Sequence, residues 1–206
     1  MKKAFTMLEL IFIIVVIGIL AVAVISRDGS NTLREAAVQL VSHIRYTQHL
    51  AMVDDKFSST DSNWYKQRWQ IIFNTTTGIT YSIYSDKTAF DGDAHLNEVA
   101  IDPMSKDKVL SGGSSNISLT DASVNKELNL GSSYGITNLS LNDGCSGSRI
   151  SFDNMGRPLQ GAIHNSSESY VTANMIQATC NIILTGSDGL TVTIAIEPET
   201  GYARIL

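Results

Sequence analysis

Glu9 stands in an apolar run from Phe5 to Ile25 that is otherwise interrupted only by Thr6 and Gly18. A carboxylate deep in a membrane helix costs about 2.5–3.5 kcal/mol on insertion scales, so its presence there points to a partner or a function. Close to an interface, the same side chain would instead reach for water. The other chemistry-bearing residues are scattered. His43, His49, His95 and His164 show neither metal-ligand spacing nor a nucleophile motif beside them. Gly144-Cys145-Ser146-Gly147 lacks the pattern around Ser that a nucleophile elbow requires. Asp86, Asp91, Asp93, Glu98 and Asp102 offer hard oxygen ligands, but calcium takes about six to eight and no EF-hand spacing is present. Solvated loop carboxylates are the expectation, with no metal and no cofactor. Cys145 and Cys180 are the only cysteines, which excludes a cysteine-rich scaffold and a four-cysteine zinc site. Nothing in these residues supports catalysis.

The chain that must position them has 206 residues, 43% of them hydrophobic and 17% charged. That is long enough to bury a core and too apolar for wholesale disorder. Charge is uneven: residues 10–25 carry none, whereas beyond residue 26 there are 13 Lys+Arg against 19 Asp+Glu. Such an acidic excess repels phosphate and disfavours nucleic acid and anionic lipid as partners. The 21 residues from Phe5 to Ile25 would span about 31 Å as a helix, enough to cross a bilayer core. A secretory signal peptide, a plain membrane anchor and a segment built for assembly all fit that run. Ala21-Val22-Ala23 has the small residues of a signal-peptide cleavage site, while Glu9 and the length of the run speak against one. Lipoprotein processing is excluded, because no cysteine lies near the N-terminus.

Beyond the run, Ser26-Arg27-Asp28-Gly29-Ser30-Asn31 interrupts the helical pattern, and Thr32-Leu33-Arg34-Glu35 reads as a capping box that restarts a helix. Arg27 to Asn31 is therefore expected to be a mobile or kinked link. Leu33, Ala37, Leu40, Val41, Ile44 and Ala51 then recur at helical spacing, giving an amphipathic segment that ends near Asp54-Asp55 and packs on its own domain. After residue 60 the pattern becomes β. Trp69–Phe73 and Ile79–Tyr84 flank a Thr/Gly loop and read as a hairpin. Further candidate strands are Ile117–Leu119, Leu128–Leu130, Ile136–Leu141, Arg149–Phe152, Cys180–Leu184, Leu190–Ile196 and Tyr202–Leu206, joined by Gly/Ser/Asn-rich connections. A long helix followed by an antiparallel sheet is the α+β solution in which the sheet covers the helix's apolar stripe.

Two parts of the chain carry a resemblance. Ala4-Phe5-Thr6-Met7-Leu8-Glu9-Leu10 and the apolar residues after it resemble the cleavage and methylation segment of type IV pilins and type II secretion pseudopilins. Ala4 stands where that family usually has Gly. The stretch Ile150-Ser151-Phe152-Asp153-Asn154-Met155-Gly156-Arg157-Pro158 resembles a turn of the H-type minor pseudopilins. Leu190 to Ile205, with Glu197-Pro198-Glu199-Thr200-Gly201-Tyr202-Ala203-Arg204 in it, resembles the closing hairpin of that group.

The resemblance implies a leader of residues 1–4, cleavage by a prepilin peptidase between Ala4 and Phe5, and N-methylation of Phe5. It also implies an assembly helix over 5–25, an amphipathic second half over 26–55 and a β-rich periplasmic domain over 56–206. Phe5 and Glu9 are four apart and share a helix face. The amine freed at Phe5 would then be neutralised by Glu9 of a neighbouring subunit, which sets the stagger between subunits. With Lys2 and Lys3 on the cytoplasmic side of the inner membrane, the domain would be exported to a compartment where disulfides persist. Cys145 and Cys180 flank candidate strands that the family places in one sheet region, so a bridge between them is expected; two buried free thiols are the alternative. Some relatives bind DNA through a C-terminal Gly-Arg-x-Arg element. Here Gly201-Tyr202-Ala203-Arg204 lacks the first Arg, and residues 109–206 hold 4 Lys+Arg against 8 Asp+Glu, which disfavours DNA. The function implied is a structural pilus or pseudopilus subunit whose partners are other subunits. A DNA-uptake pilin contacting DNA through Arg204 and a membrane-anchored periplasmic enzyme are the rivals.

Overall fold

The computed structural model describes residues 7–87 and 89–206, and for residues 21–30 the backbone alone. The chain is α+β. Helix α1 runs from Met7 to Val53. Strands β1 (Trp69–Asn74), β2 (Thr80–Ser85), β4 (Arg149–Phe152) and β5 (Pro158–Gln160) form one antiparallel sheet in the order β2-β1-β4-β5. Strands β3 (Ile136–Asp143), β6 (Cys180–Gly186), β7 (Thr191–Ile196) and β8 (Ala203–Ile205) form another in the order β3-β6-β7-β8. A short helix, α2 (Leu130–Tyr134), precedes β3.

The second half of α1 packs on β1 and β4 of the first sheet and on β6, β7 and β8 of the second. Leu33, Ala36, Ala37, Leu40, Ile44 and Ala51 are buried along one stripe, as their helical spacing requires. Alanines at 36, 37 and 51 let the strands approach the helix backbone closely. The β1–β2 hairpin pairs Trp69 with Ser85 through Asn74 with Thr80. Its alternation points Ile71, Phe73, Tyr81 and Ile83 into the core and Gln70, Ile72, Ser82 and Tyr84 to the opposite face.

Four expectations are corrected. The interruption at Ser26–Asn31 is absent: helix continues through it, and Thr32-x-x-Glu35 lies inside α1 rather than starting a new element. Gly29 costs about 1 kcal/mol in a helix interior, whereas stopping and restarting a helix incurs the full nucleation penalty, so continuity wins. Leu128–Leu130 is not a strand but a pair of capped turns. Asn125 Oδ1 accepts from Glu127 N at 3.0 Å, and Asn129 Oδ1 accepts from Ser132 N at 3.1 Å, which favours local coiling over a ladder. Ile117–Leu119 is a turn. The single sheet becomes two, and the short strand β5, opening with Pro158 at a sheet edge where its missing N–H is harmless, was not foreseen.

Candidate assembly site

Every described side chain from Met7 to Leu20 is exposed. Met7, Phe12, Ile14, Ile17 and Ile19 are among the large apolar residues left open there, and Glu9 sits in the first turn of α1. One helix therefore has two halves of opposite character: the second is clamped in a domain, and the first is a bare apolar arm. An exposed apolar surface of that extent marks a protein or membrane contact. Among the described residues, no helix is long and apolar enough to cross a membrane. Ala4 and Phe5, where processing is expected, lie outside the described residues.

The arm is only as well positioned as the clamp that holds α1. Gln48 donates through Nε2 to the carbonyl oxygens of Gly156, at 2.8 Å, and Thr200, at 2.7 Å. Arg45 donates twice to the Ala203 carbonyl, at 3.1 and 2.7 Å, and stacks on the Tyr202 ring. The two late stretches with family likeness thus meet on one turn of α1. Asp153, buried, ties the first of them: Oδ1 accepts from the amides of Met155 and Arg157, and Oδ2 from Arg157 Nε at 2.7 Å. Gly201 has φ +62, and a Cβ there would collide with the Gly156 carbonyl oxygen and crowd Gln48 Nε2. Gly161 has a similar φ of +76 with open space around it. Gly201→Ala should therefore destabilise the domain by about 2–3 kcal/mol, and Gly161→Ala by only about 1 kcal/mol. Chemical denaturation of both variants measures the difference, and equal losses would show that the close approach is unimportant.

Further toward the arm, α1 is bonded to the domain through a polar chain that sequence reasoning missed. Tyr134 donates its hydroxyl to Gln39 Oε1. Gln39 Nε2 donates to the Glu127 carbonyl at 3.1 Å and to the Tyr81 hydroxyl at 3.0 Å. Tyr81, accepting there, donates in turn to His43 Nδ1 at 2.6 Å. The backbone carbonyl of Glu127 fixes the polarity of the chain, so the neutral His43 ring carries its hydrogen on Nε2. Burial holds the His43 pKa below the ordinary imidazole value, against the opposing charge of Asp102. Gln39 and His43 are four apart, one step round from the apolar stripe, and that offset was the available signal. Beside them lies an open groove of about 960 Å³, lined by Arg34, Val38, His43, Met104, Lys108 and Glu127 among others.

The structure joins Cys145 to Cys180, with Cα atoms 4.9 Å apart and both residues buried. The bridge does not connect neighbours of β4 and β6 within one sheet, as the family likeness implied. Arg149–Phe152 and Cys180–Gly186 belong to different sheets. Instead, Cys145 lies two residues beyond Asp143, the residue of β3 that pairs with Cys180, so the disulfide staples the end of the β3–β6 ladder.

Arg204, the candidate DNA contact, makes an ion pair with Glu197 at 2.6 Å across the closing hairpin. Its charge is locally spent. The acidic stretch is also different from the expectation. Asp86, Glu98 and Asp102 are buried rather than solvated. Each braces its own turn: Asp86 Oδ2 accepts from Gly92 N at 2.8 Å, Glu98 Oε1 from Lys87 N at 2.9 Å, and Asp102 from Met104 N and the Asn125 side chain, both at 2.8 Å. Backbone donors near Asp86 and Asp102, and one from Lys87 across the loop for Glu98, take the place of water at these carboxylates. Among the described residues, no three His, Cys, Asp or Glu side chains converge on a possible metal position. No family model matches this chain, and no curated protein or solved structure matches it.

Proposed function

We propose that this chain is a structural subunit of a pilus or type II secretion pseudopilus, held in the inner membrane by its N-terminal helix before assembly, with its α+β domain in the periplasm. The observation that carries this reading is the division of α1 into a clamped half and a bare apolar arm. The sequence extends the arm to Phe5 on one side and Ile25 on the other, the length a bilayer core requires. An Ile- and Val-rich segment is a mediocre helix in water but a sound one in lipid or among other apolar helices, where each backbone group must be satisfied internally. The partners are other subunits bearing the same kind of arm and a prepilin peptidase acting between Ala4 and Phe5. The role is structural rather than enzymatic. DNA binding is disfavoured, because Arg204 is paired and the surrounding charge is acidic.

Mass spectrometry of the membrane-extracted protein tests the proposal. Loss of residues 1–4 removes Lys2 and Lys3 and takes the formal side-chain net charge from −5 to −7. The expected mature N-terminus is a methylated Phe5. A mature N-terminus at Val24 would instead mark ordinary signal-peptide cleavage and end the pilin reading.

A further inference from the structure

A strap of residues 89–95 crosses part of the first sheet's face turned away from α1, and Gly92 fastens it. The Gly92 carbonyl oxygen accepts from the Tyr84 hydroxyl at 2.5 Å and from Arg149 Nη1 at 2.7 Å, while its amide donates to Asp86 Oδ2 at 2.8 Å. His164, in a 3-10 helix over Ile163–Asn165, sits against the same glycine, where any Cβ would overlap its ring. His164 Nδ1 lies 3.3 Å from the same Arg149 Nη1. A guanidinium only donates, so Nδ1 accepts, and the neutral ring carries its hydrogen on Nε2. Protonation would place a second N–H against a second donor, with two positive charges at contact distance.

The sheet face and the strap both carry groups that are not fully relaxed. Gln70 and Ser151 are cross-strand partners on this face and almost wholly buried. Both amide atoms of Gln70 and the Ser151 hydroxyl find no hydrogen-bond partner among the described residues. Phe90, in the strap, has φ 52, a conformation that a residue with a side chain holds only under constraint. Opening would release the constraint on Phe90.

We propose that His164 is an acid-operated latch: neutral, it accepts from Arg149 and seats the Gly92 strap; protonated, it repels Arg149 and frees the strap from Tyr84 and Arg149 on the sheet face. Burial and then the Arg149 guanidinium hold the His164 pKa below the ordinary imidazole value; Asp93 and Asp91 of the strap oppose that, and Lys66 of the neighbouring 3-10 helix adds to it. The group is thus neutral in the closed state at neutral pH, and closure is lost as the pH falls below the ordinary imidazole range. His95 pairs with Asp91 at 2.9 Å within the strap itself, a contact that protonation strengthens, so its titration does not supply the release.

The test is amide hydrogen exchange of the full chain in detergent micelles at pH 7.5 and pH 5.0, corrected for the intrinsic pH dependence of exchange. Peptides covering 89–95 should exchange at least ten-fold faster at pH 5.0 in the wild type. His164→Asn keeps an acceptor and cannot titrate, so it should abolish the response, whereas His95→Gln should retain it. No response in the wild type, or an equal response in His164→Asn, overturns the latch. Nitrogen NMR of the wild type at pH 7.5 gives a second reading that needs no variant: hydrogen on Nε2 of His164 supports the proposal, and hydrogen on Nδ1 refutes it.

Discussion

Glu9→Leu is expected to enter the membrane as well as the wild type, or better, and to be excluded from fibres. The carboxylate works against insertion, since a charge in the hydrocarbon costs about 2.5–3.5 kcal/mol on insertion scales, so removing it cannot impair that step. Assembly makes the opposite demand. Under the proposed processing, each subunit begins with a charged amine at Phe5, and packing arms together would strand that amine in an apolar core. A carboxylate from the neighbouring arm neutralises it, and the pair forms at only one axial offset, so the same contact fixes register. An unpaired buried charge is costly enough to make the effect close to all-or-none. Membrane fractionation measures the first step, and recovery of the variant in sheared fibres measures the second. Normal incorporation of Glu9→Leu would remove the pairing role while leaving the membrane role standing.

The second large effect is on stability. The Cys145–Cys180 bridge closes a loop spanning a sequence separation of 35. In the chain-entropy model a loop of that length stabilises the fold by about 3–4 kcal/mol, a large share of the roughly 5–15 kcal/mol that holds a typical domain together. The Cys145→Ala/Cys180→Ala double variant should therefore melt roughly 10 °C lower than the oxidised protein, and reduction of the wild type should reproduce most of that shift. Thiol counting on denatured, unreduced protein comes first: no free thiol and a two-hydrogen mass gain on reduction are expected. Two free thiols per chain would contradict the bridge. The staple ties the end of β3 to β6, far along the chain from the arm, so reduction should leave the helix of the arm unaffected.

These two effects differ in how far each was legible beforehand. Glu9 needed no structure, because a lone carboxylate in an apolar run is conspicuous in one dimension. The bridge was half legible. Two cysteines in a domain expected to be exported suggested a pair, but their neighbourhood was misplaced: the strand after Cys145 lies in the first sheet and Cys180 in the second. Which strands share a sheet depends on how several apolar faces are covered at once, and no local pattern encodes that.

The sequence by itself determined the elements whose signal is local. The spacing of Leu33, Leu40, Ile44 and Ala51 specifies a helix face, because side chains three or four apart lie on one side whatever the rest of the chain does. The alternation in β1, β2, β6 and β7 specifies strands with an inner and an outer face for the same reason. What only the tertiary structure decided are the cases where distant groups compete. Helix runs through Gly29 because the packed second half sustains it, although local propensity favours a break. Asp86 and Asp102 are buried because loop amides and the Asn125 side chain supply the hydrogen bonds that water would otherwise make. Arg204 is paired with Glu197 because the closing hairpin sets Arg204 opposite Ala195, with Glu197 diagonally across on the same face. Gly156 and Gly201, 45 residues apart in sequence, meet at Gln48 because two turns from different sheets converge on the same turn of α1. Backbone periodicity acts over a few residues and can be read along the chain. Burial and charge pairing act through space, and the partner of each group is known only when the chain has closed on itself.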